Sequence, residues 1–159
     1  MSDRGRGRLL VGAQFVLIGI IAIGRGSRLW PNWPLLIVLE IALFAAGSVI
    51  LVLAFFHLGS ALTANPVPRS DASLHTNGVY AYVRHPIYTG VLLTGMAIAI
   101  HHASLISVLA FLALVALLNF KARWEEVFLL AKHRGYLSYM EQVPRFLPWP
   151  RANRDRYEH

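Results

Sequence analysis

The chain has 159 residues, of which 56% are hydrophobic and only 14% are charged, and its formal net charge is +7. This length fits one domain, and the apolar content is far above that of an average soluble protein. The absence of cysteine excludes disulfides, thiolate metal sites and cysteine nucleophiles. In so apolar a chain, the positive charge favours anionic lipid headgroups rather than nucleic acid as the partner.

Four apolar segments follow one another along the chain, at residues 9–23, 35–56, 86–100 and 103–120. About 20 helical residues match a hydrocarbon core of about 30 Å, so the long second segment predicts a membrane span. The first and third segments are shorter, and buried helices of a soluble protein are the alternative for them. Four such segments leave too little polar surface for a soluble fold. We therefore predict an all-α integral membrane protein with about four transmembrane helices, forming one domain over residues 1–159.

The basic residues predict how these spans are oriented. With the N-terminus inside, the outer loops hold only Arg25 and Arg28, which leaves 13 of the 15 lysines and arginines on the inner side. Both termini are therefore expected in the cytoplasm, together with the inner segments 76–90 and 121–148. Between the second and third spans, Pro66 and Pro68 predict an extended connection.

A polar, aromatic stretch, NGVYAYVRHPIYTG, leads into the third span. It opens with a turn signal, and Pro86 suits the first turn of a helix. Arg84 and His85 are therefore expected at a helix N-terminus, whose free N–H groups and partial positive charge favour anions. Arg84 adds a full charge and several donors. The stretch predicts an anion-binding corner at the inner membrane surface.

After the fourth span the helical period continues with an amphipathic pattern, which predicts a cytoplasmic amphipathic helix. Glu125 and Glu126 lie near its start. Because spans three and four form a hairpin with a short outer turn, this pair is expected close to Arg84 and His85. Adjacent helical residues point about 100° apart, so one of the two glutamates is expected to face a shared site. A solvated helix face is the alternative. Seven histidines without a spaced ligand set do not predict a metal site.

Several motifs together resemble a known family. GVYAYVRHPIYTG, a Glu-Glu pair two spans later, RGYLSY and VPRFLP are similar to the isoprenylcysteine carboxyl methyltransferase family and its phospholipid methyltransferase relatives. The resemblance covers residues 76–148, with Val79 departing from the proline usual in the family. It implies S-adenosylmethionine as cofactor, bound on the cytoplasmic side. By resemblance, cofactor-binding roles fall to Tyr80, Arg84, His85, Tyr88, Glu125 and Glu126.

The resemblance also implies methyl transfer to a lipophilic small molecule or lipidated substrate, most closely carboxyl O-methylation of an isoprenylcysteine-like acceptor. A carboxylate is ionised at pH 7 and needs no general base, whereas an amine acceptor does. Arg145, held between Pro144 and Pro148, is then the residue expected to position the carboxylate, with Arg84 as its catalytic partner. For Arg145 alone, contact with a lipid phosphate is the alternative.

Three other functions stay open at this level. Phospholipid-amine N-methylation is the first alternative. An NADPH-dependent sterol-type reductase, from another enzyme class, is the second, although this chain is short for one. A membrane scaffold without activity would leave the arginine and glutamate motifs unexplained.

Overall fold

The computed structural model describes residues 3–58, 74 and 76–148. Within these residues the chain forms no β-strand and five α-helices: α1 (Asp3–Ile23), α2 (Pro34–Leu58), α3 (Pro86–His102), α4 (Leu105–Lys132) and α5 (Tyr136–Gln142). A short 3-10 turn at Gly78–Ala81 precedes α3. The predicted all-α membrane fold is confirmed. The predicted extended connection at Pro66 and Pro68 lies outside the described residues.

Each of the four predicted spans is a helix in the structure. Among the described residues, three helical segments are long and apolar enough to cross a membrane: Gly5–Ile23, Pro34–His57 and Leu105–Lys132. The predicted third span corresponds to α3, which has only 17 residues. At 1.5 Å per residue it is about 25 Å long, somewhat less than a hydrocarbon core of about 30 Å. Four predicted spans thus become three full-length helices and one short one.

The fourth span and the amphipathic segment form one continuous helix. α4 has 28 residues, and neither glycine nor proline occurs between Leu105 and Lys132. The polarity of the side chains changes along this helix, but nothing in the backbone favours a break there. The two adjacent glutamates are therefore rigidly connected to the membrane-spanning part of α4.

The helices pack as two pairs, α2 against α3 and α1 against α4, and contacts between α3 and α4 join the pairs. Ile21 of α1, Ala99 of α3 and Leu114 and Leu118 of α4 are buried together in the core. Many large apolar side chains face outward instead, for example Phe15 at 62% exposure. This inside-out surface is what lipid-facing helices require, because their outer side chains meet hydrocarbon rather than water.

The two connections at one end of the bundle contact each other. Leu29 N donates to Ala103 O at 2.6 Å, and Trp30 Nε1 donates to Ile100 O at 3.2 Å. Ser104 caps α4 by accepting a hydrogen bond from Ser107 N. These bonds fix the α3–α4 hairpin at its short turn. The start of α3 consequently lies beside the last third of α4, near Glu125 and Glu126, at the other end of the bundle, which we call the site end.

Two glycines allow α2 and α3 to approach closely. A Cβ atom added at Gly90 would lie 2.6 Å from Leu51 Cγ and 2.9 Å from Gly47 O. We expect Gly90→Ala to lower stability by about 1–3 kcal/mol, because the helices must separate to admit the methyl group. Thermal unfolding in detergent measures this. Gly12→Ala is the matched control, since no atom lies within 4 Å of its added Cβ, and equal melting temperatures for the two variants would contradict the prediction.

Candidate functional site

The corner before α3 has the local structure that its sequence predicts. Pro86 is the first residue of α3, and His85 is the N-cap with φ −124° and ψ 64°. Two backbone hydrogen bonds then join this corner to the C-terminal segment, from Arg84 N to Pro144 O at 2.9 Å and from His85 N to Arg145 O at 3.1 Å. The corner and the VPRFLP motif are therefore one structural unit, although they lie far apart in the sequence.

Glu126 is the centre of a buried ionic cluster, with only 4% of its side chain exposed. Arg84 Nη2 lies 2.9 Å from Glu126 Oε1, and His85 Nε2 lies 3.2 Å from the same oxygen. Arg145 donates to both oxygens of this carboxylate, from Nε to Oε1 at 3.1 Å and from Nη2 to Oε2 at 2.6 Å. A buried carboxylate is stable only when it is paired and hydrogen-bonded, and Glu126 meets both conditions.

Glu125 contacts the same corner at its more exposed edge. Tyr88 Oη donates to Glu125 Oε2 at 2.9 Å, and His85 Nδ1 lies 3.8 Å from that oxygen. The Glu125 side chain is 26% exposed. The expectation that only one glutamate faces the site is therefore wrong. Both reach it, because the two ring nitrogens of His85 face the two different carboxylates.

Arg84 is almost fully enclosed by protein groups, with 8% of its side chain exposed. Its Nη1 donates to Met140 O at 2.8 Å and to Val143 O at 2.6 Å, while Nε donates to Glu126 Oε1 at 3.1 Å. All three guanidinium nitrogens thus meet protein acceptors. Arg84 ties the start of α3 to α4 and to the end of α5.

Arg145 is more accessible, with 26% of its side chain exposed. Besides Glu126, it contacts Asn119, to whose Oδ1 it donates from Nη1 at 3.1 Å. Its hydrogen bond to Glu126 raises the pKa of the guanidinium, so the group stays charged. Asn119 was not identified from the sequence. It lies seven residues before Glu126, a spacing that puts both residues on one face of α4.

Tyr80 lies against the same cluster from the 3-10 turn. Its side chain is buried, and its pKa is raised by burial and then by the charge of Glu125. Tyr139 of α5 donates from its hydroxyl to Tyr80 O at 2.6 Å. Burial raises the pKa of Tyr139 to about 12, although the charge of Arg84 opposes the shift. The hydroxyl therefore keeps its proton and this donor at physiological pH.

Tyr88 connects the cluster to two residues that the sequence analysis did not place there. Its ring stacks on His85, with centroids 5.2 Å apart and planes 4° apart. Lys121 Nζ lies 5.0 Å from the centroid of the Tyr88 ring and donates to Gln14 Oε1 of α1 at 2.8 Å. For Gln14 the signal is a polar side chain inside an otherwise apolar span, whereas Lys121 directly follows the apolar run 103–120 and looks like an ordinary inner-face lysine.

The structure thus brings together all seven residues that were predicted to carry function: Tyr80, Arg84, His85, Tyr88, Glu125, Glu126 and Arg145. Their charges are arranged as a buried core around Glu126 and an accessible edge at Glu125 and Arg145. Across residues 3–58, 74 and 76–148, no group of three or more histidine, aspartate or glutamate side chains is placed to hold a metal ion. The accessible edge, with carboxylate, guanidinium and aromatic groups, has the chemistry to bind a polar organic molecule.

Comparison with known proteins identifies the family. The family model described as phospholipid methyltransferase matches residues 35–134, which extend from the start of α2 past the end of α4. No curated protein and no solved structure shows a significant match. The matched region covers well over half of the chain and includes the corner before α3 and both glutamates. The chain therefore belongs to the phospholipid methyltransferase family of membrane methyltransferases, which act on lipid-type substrates.

Proposed function

We propose that this protein transfers a methyl group from S-adenosylmethionine to a lipophilic acceptor, and that the transfer takes place at the cluster around Glu125 and Glu126. The observation that carries the proposal is the convergence of two arginines and His85 on Glu126, at the site end of a bundle in this family. Burying such a cluster costs a large desolvation free energy. It fixes the accessible edge of the site in one geometry, which is what methyl transfer requires of an enzyme.

The accessible edge fits the proposed cofactor. Glu125 offers a partly exposed carboxylate that can accept hydrogen bonds from ribose hydroxyls or an amino group. Tyr80 and Tyr88 supply aromatic rings next to it. Among the described residues, Arg145 uses three of its five N–H groups, and we assign the other two to the carboxylate of the acceptor rather than to the cofactor. When bound, the cofactor supplies an electrophilic methyl group.

Arg84, His85 and Glu126 have a different part in this proposal. Their polar atoms already face one another or main-chain carbonyls, so they act as positioning residues beneath the cofactor. Arg84 holds the end of α5 against the start of α3, and Glu126 holds Arg145 in place. The predicted cofactor role of Arg84 thus becomes an indirect one, exerted through the groups that it orients.

For the acceptor, the cluster favours a carboxylate. Both ring nitrogens of His85 face carboxylate oxygens, at 3.2 and 3.8 Å, and only 6% of its side chain is exposed, so this residue is poorly placed to meet an amine acceptor. A carboxylate acceptor needs no general base, because it is already ionised at pH 7. Positioning and exclusion of water then supply the rate. An isoprenylcysteine-like carboxylate is the acceptor that we propose first.

Phospholipid-amine methylation is the second candidate, since the matching family model describes phospholipid methyltransferases. It requires a group that removes the proton of an ammonium acceptor. Glu125, the more exposed of the two carboxylates at the site, would have to act as that base.

Calorimetry and activity assays on the purified protein test these assignments in order. We expect S-adenosylhomocysteine to bind and NADPH not to bind. Radioactive methyl transfer from S-adenosylmethionine is then measured with an isoprenylcysteine carboxylate and with a phospholipid amine. Product from the first acceptor alone supports carboxyl methylation, and product from the second alone assigns the amine reaction. Binding of NADPH without S-adenosylhomocysteine would replace the methyltransferase proposal with a reductase.

We further propose that both termini and the site face the cytoplasm and that the acceptor enters from the bilayer. The charge distribution supports this orientation, because the two basic residues Arg25 and Arg28 lie in the connection at the end opposite the site. The large exposed apolar surface of the helices supports entry through lipid.

Entry from the bilayer has a measurable consequence. An acceptor that lacks its lipid tail should be methylated at least about ten-fold more slowly than the lipidated acceptor at equal total concentration, because the tail concentrates the acceptor in the membrane. The measurement is the initial rate in proteoliposomes. Its control is the same pair of acceptors in detergent above the critical micelle concentration, where the difference should narrow. Equal rates for both acceptors in proteoliposomes would contradict the prediction.

A further inference from the structure

Lys121 is a buried cation inside a membrane-spanning helix. Its side chain is 1% exposed, and among the described residues its ammonium has no carboxylate within ion-pair distance. Gln14 Oε1 accepts one hydrogen bond at 2.8 Å, and the Tyr88 ring lies 5.0 Å away. One neutral acceptor and one aromatic face compensate only in part for the desolvation of an ammonium group. Packing alone would favour an apolar residue here.

The position of this cation relates it to the accessible edge of the site. Lys121 precedes Glu125 by one helical turn on α4, and Tyr88 connects the two, since its hydroxyl donates to Glu125 Oε2 at 2.9 Å. A cation near the face of an aromatic ring is attracted to it and restricts its motion. The ammonium group of Lys121 is therefore placed to hold the ring that orients the Glu125 carboxylate.

Gln14 adds a helix that the family comparison does not include. It belongs to α1, whereas the family model matches residues 35–134 only. Gln14 is itself buried, with 8% of its surface exposed. Its amide oxygen fixes where the Lys121 ammonium lies. The first helix is thus connected to Glu125 by successive contacts. Gln14 contacts Lys121, Lys121 contacts Tyr88, and Tyr88 contacts Glu125.

We infer that Gln14 and Lys121 are positioning residues of the cofactor site. In this inference Gln14 orients the Lys121 ammonium, the ammonium holds the Tyr88 ring, and the ring holds Glu125 toward the cofactor. The first helix is then a component of the site and not only a membrane anchor. The inference rests on the proposed cofactor site, so its test must separate the two.

The sharpest test is the double substitution Gln14→Leu with Lys121→Met. Replacing a buried charge and its acceptor together by apolar residues of similar size leaves stability unchanged or improves it. We expect a melting temperature at or above that of the unchanged protein. The dissociation constant for S-adenosylhomocysteine should nevertheless rise by about two- to thirty-fold, which is the range of a cation–π contact. The KM for S-adenosylmethionine should rise with it, while kcat at saturating cofactor changes less.

A matched control changes the same two helices on their lipid-facing sides. Phe15→Leu with Leu112→Met substitutes one residue in α1 and one in α4, where the side chains are 62% and 57% exposed. Its affinity for S-adenosylhomocysteine should equal that of the unchanged protein. Binding by the double variant as tight as by this control overturns the positioning role. Absence of binding by the unchanged protein would instead overturn the proposed cofactor site itself.

A second variant keeps the inference testable if the double variant does not fold. Gln14→Glu preserves the size of the side chain and its acceptor oxygen, but it pairs the Lys121 ammonium with a negative charge. The attraction between the ammonium and the Tyr88 ring is then weakened. We expect the dissociation constant for S-adenosylhomocysteine to rise again, and an unchanged value would overturn the inference.

Discussion

Glu126→Gln is expected to destabilise the protein by about 3–5 kcal/mol, because it removes the single carboxylate that two guanidinium groups and the His85 ring share. Arg84, His85 and Arg145 all contact Glu126, and the amide of glutamine carries no charge to balance the two guanidinium groups. The expected readout is a large fall in the midpoint of thermal or denaturant unfolding, accompanied by loss of S-adenosylhomocysteine binding. The sequence pattern alone would predict only weaker cofactor binding for a substitution of either glutamate. The buried cluster predicts a loss of folding stability as well for Glu126→Gln.

Glu125→Gln is the matched control, since it makes the same chemical change in the neighbouring residue. Glu125 is 26% exposed and contacts Tyr88 and His85, and no guanidinium group of the described residues pairs with it. We expect its stability to change by less than about 1 kcal/mol, while affinity for S-adenosylhomocysteine falls about ten-fold or more through the loss of a charge-assisted hydrogen bond. If both variants unfold alike, or if both bind with unchanged affinity, the division into a buried core and an accessible edge is wrong.

Arg145→Lys is expected to lower kcat/KM for a carboxylate acceptor by about ten- to a hundred-fold, which corresponds to the loss of one charge-assisted contact of about 1.5–3 kcal/mol. A lysine keeps the charge, but it cannot bind both oxygens of Glu126 and Asn119 Oδ1 from one planar group. It would also lose the two remaining N–H groups that we assign to the acceptor. Steady-state kinetics with an isoprenylcysteine carboxylate measures this effect.

The dissociation constant for S-adenosylhomocysteine should change by no more than about two- to three-fold in Arg145→Lys, because Arg84 and His85 still hold Glu126. Arg134→Lys makes the same exchange at an exposed position after α4 and should have full activity. A fully active Arg145→Lys enzyme would assign this arginine to lipid contact, and carboxylate methylation would then lose its main support.

The helices and the cluster could be predicted from the sequence because each rests on a local pattern. Apolar length predicts the spans, and Pro86 predicts the start of α3. A hairpin with a short turn then brings that start to the last third of α4, whatever the side chains are. The same reasoning could not predict where α4 ends. Hydropathy changes after Phe120, but helix propensity does not, so the helix continues to Lys132.

The partners within the cluster could not be predicted, since they depend on rotations and distances that a sequence does not contain. Adjacent helical side chains point about 100° apart, which favours only one glutamate facing the site. In the structure His85 contacts both, because its two ring nitrogens point in different directions. Asn119 is a single polar residue in an apolar run, and Lys121 directly follows that run. Only the packing of α4 against α1 and the C-terminal segment shows what they contact.

The pairing of the corner before α3 with the C-terminal segment has a consequence for synthesis. Arg84 donates to Val143 O, a residue 59 positions later in the chain, and its main chain pairs with Pro144. Because this segment follows α4 in the chain, it can pack against the corner only after α1 to α4 have been synthesised. Until it arrives, the guanidinium group of Arg84 lacks two of its acceptors. The cluster around Glu126 is thus completed only when this segment packs against the corner before α3.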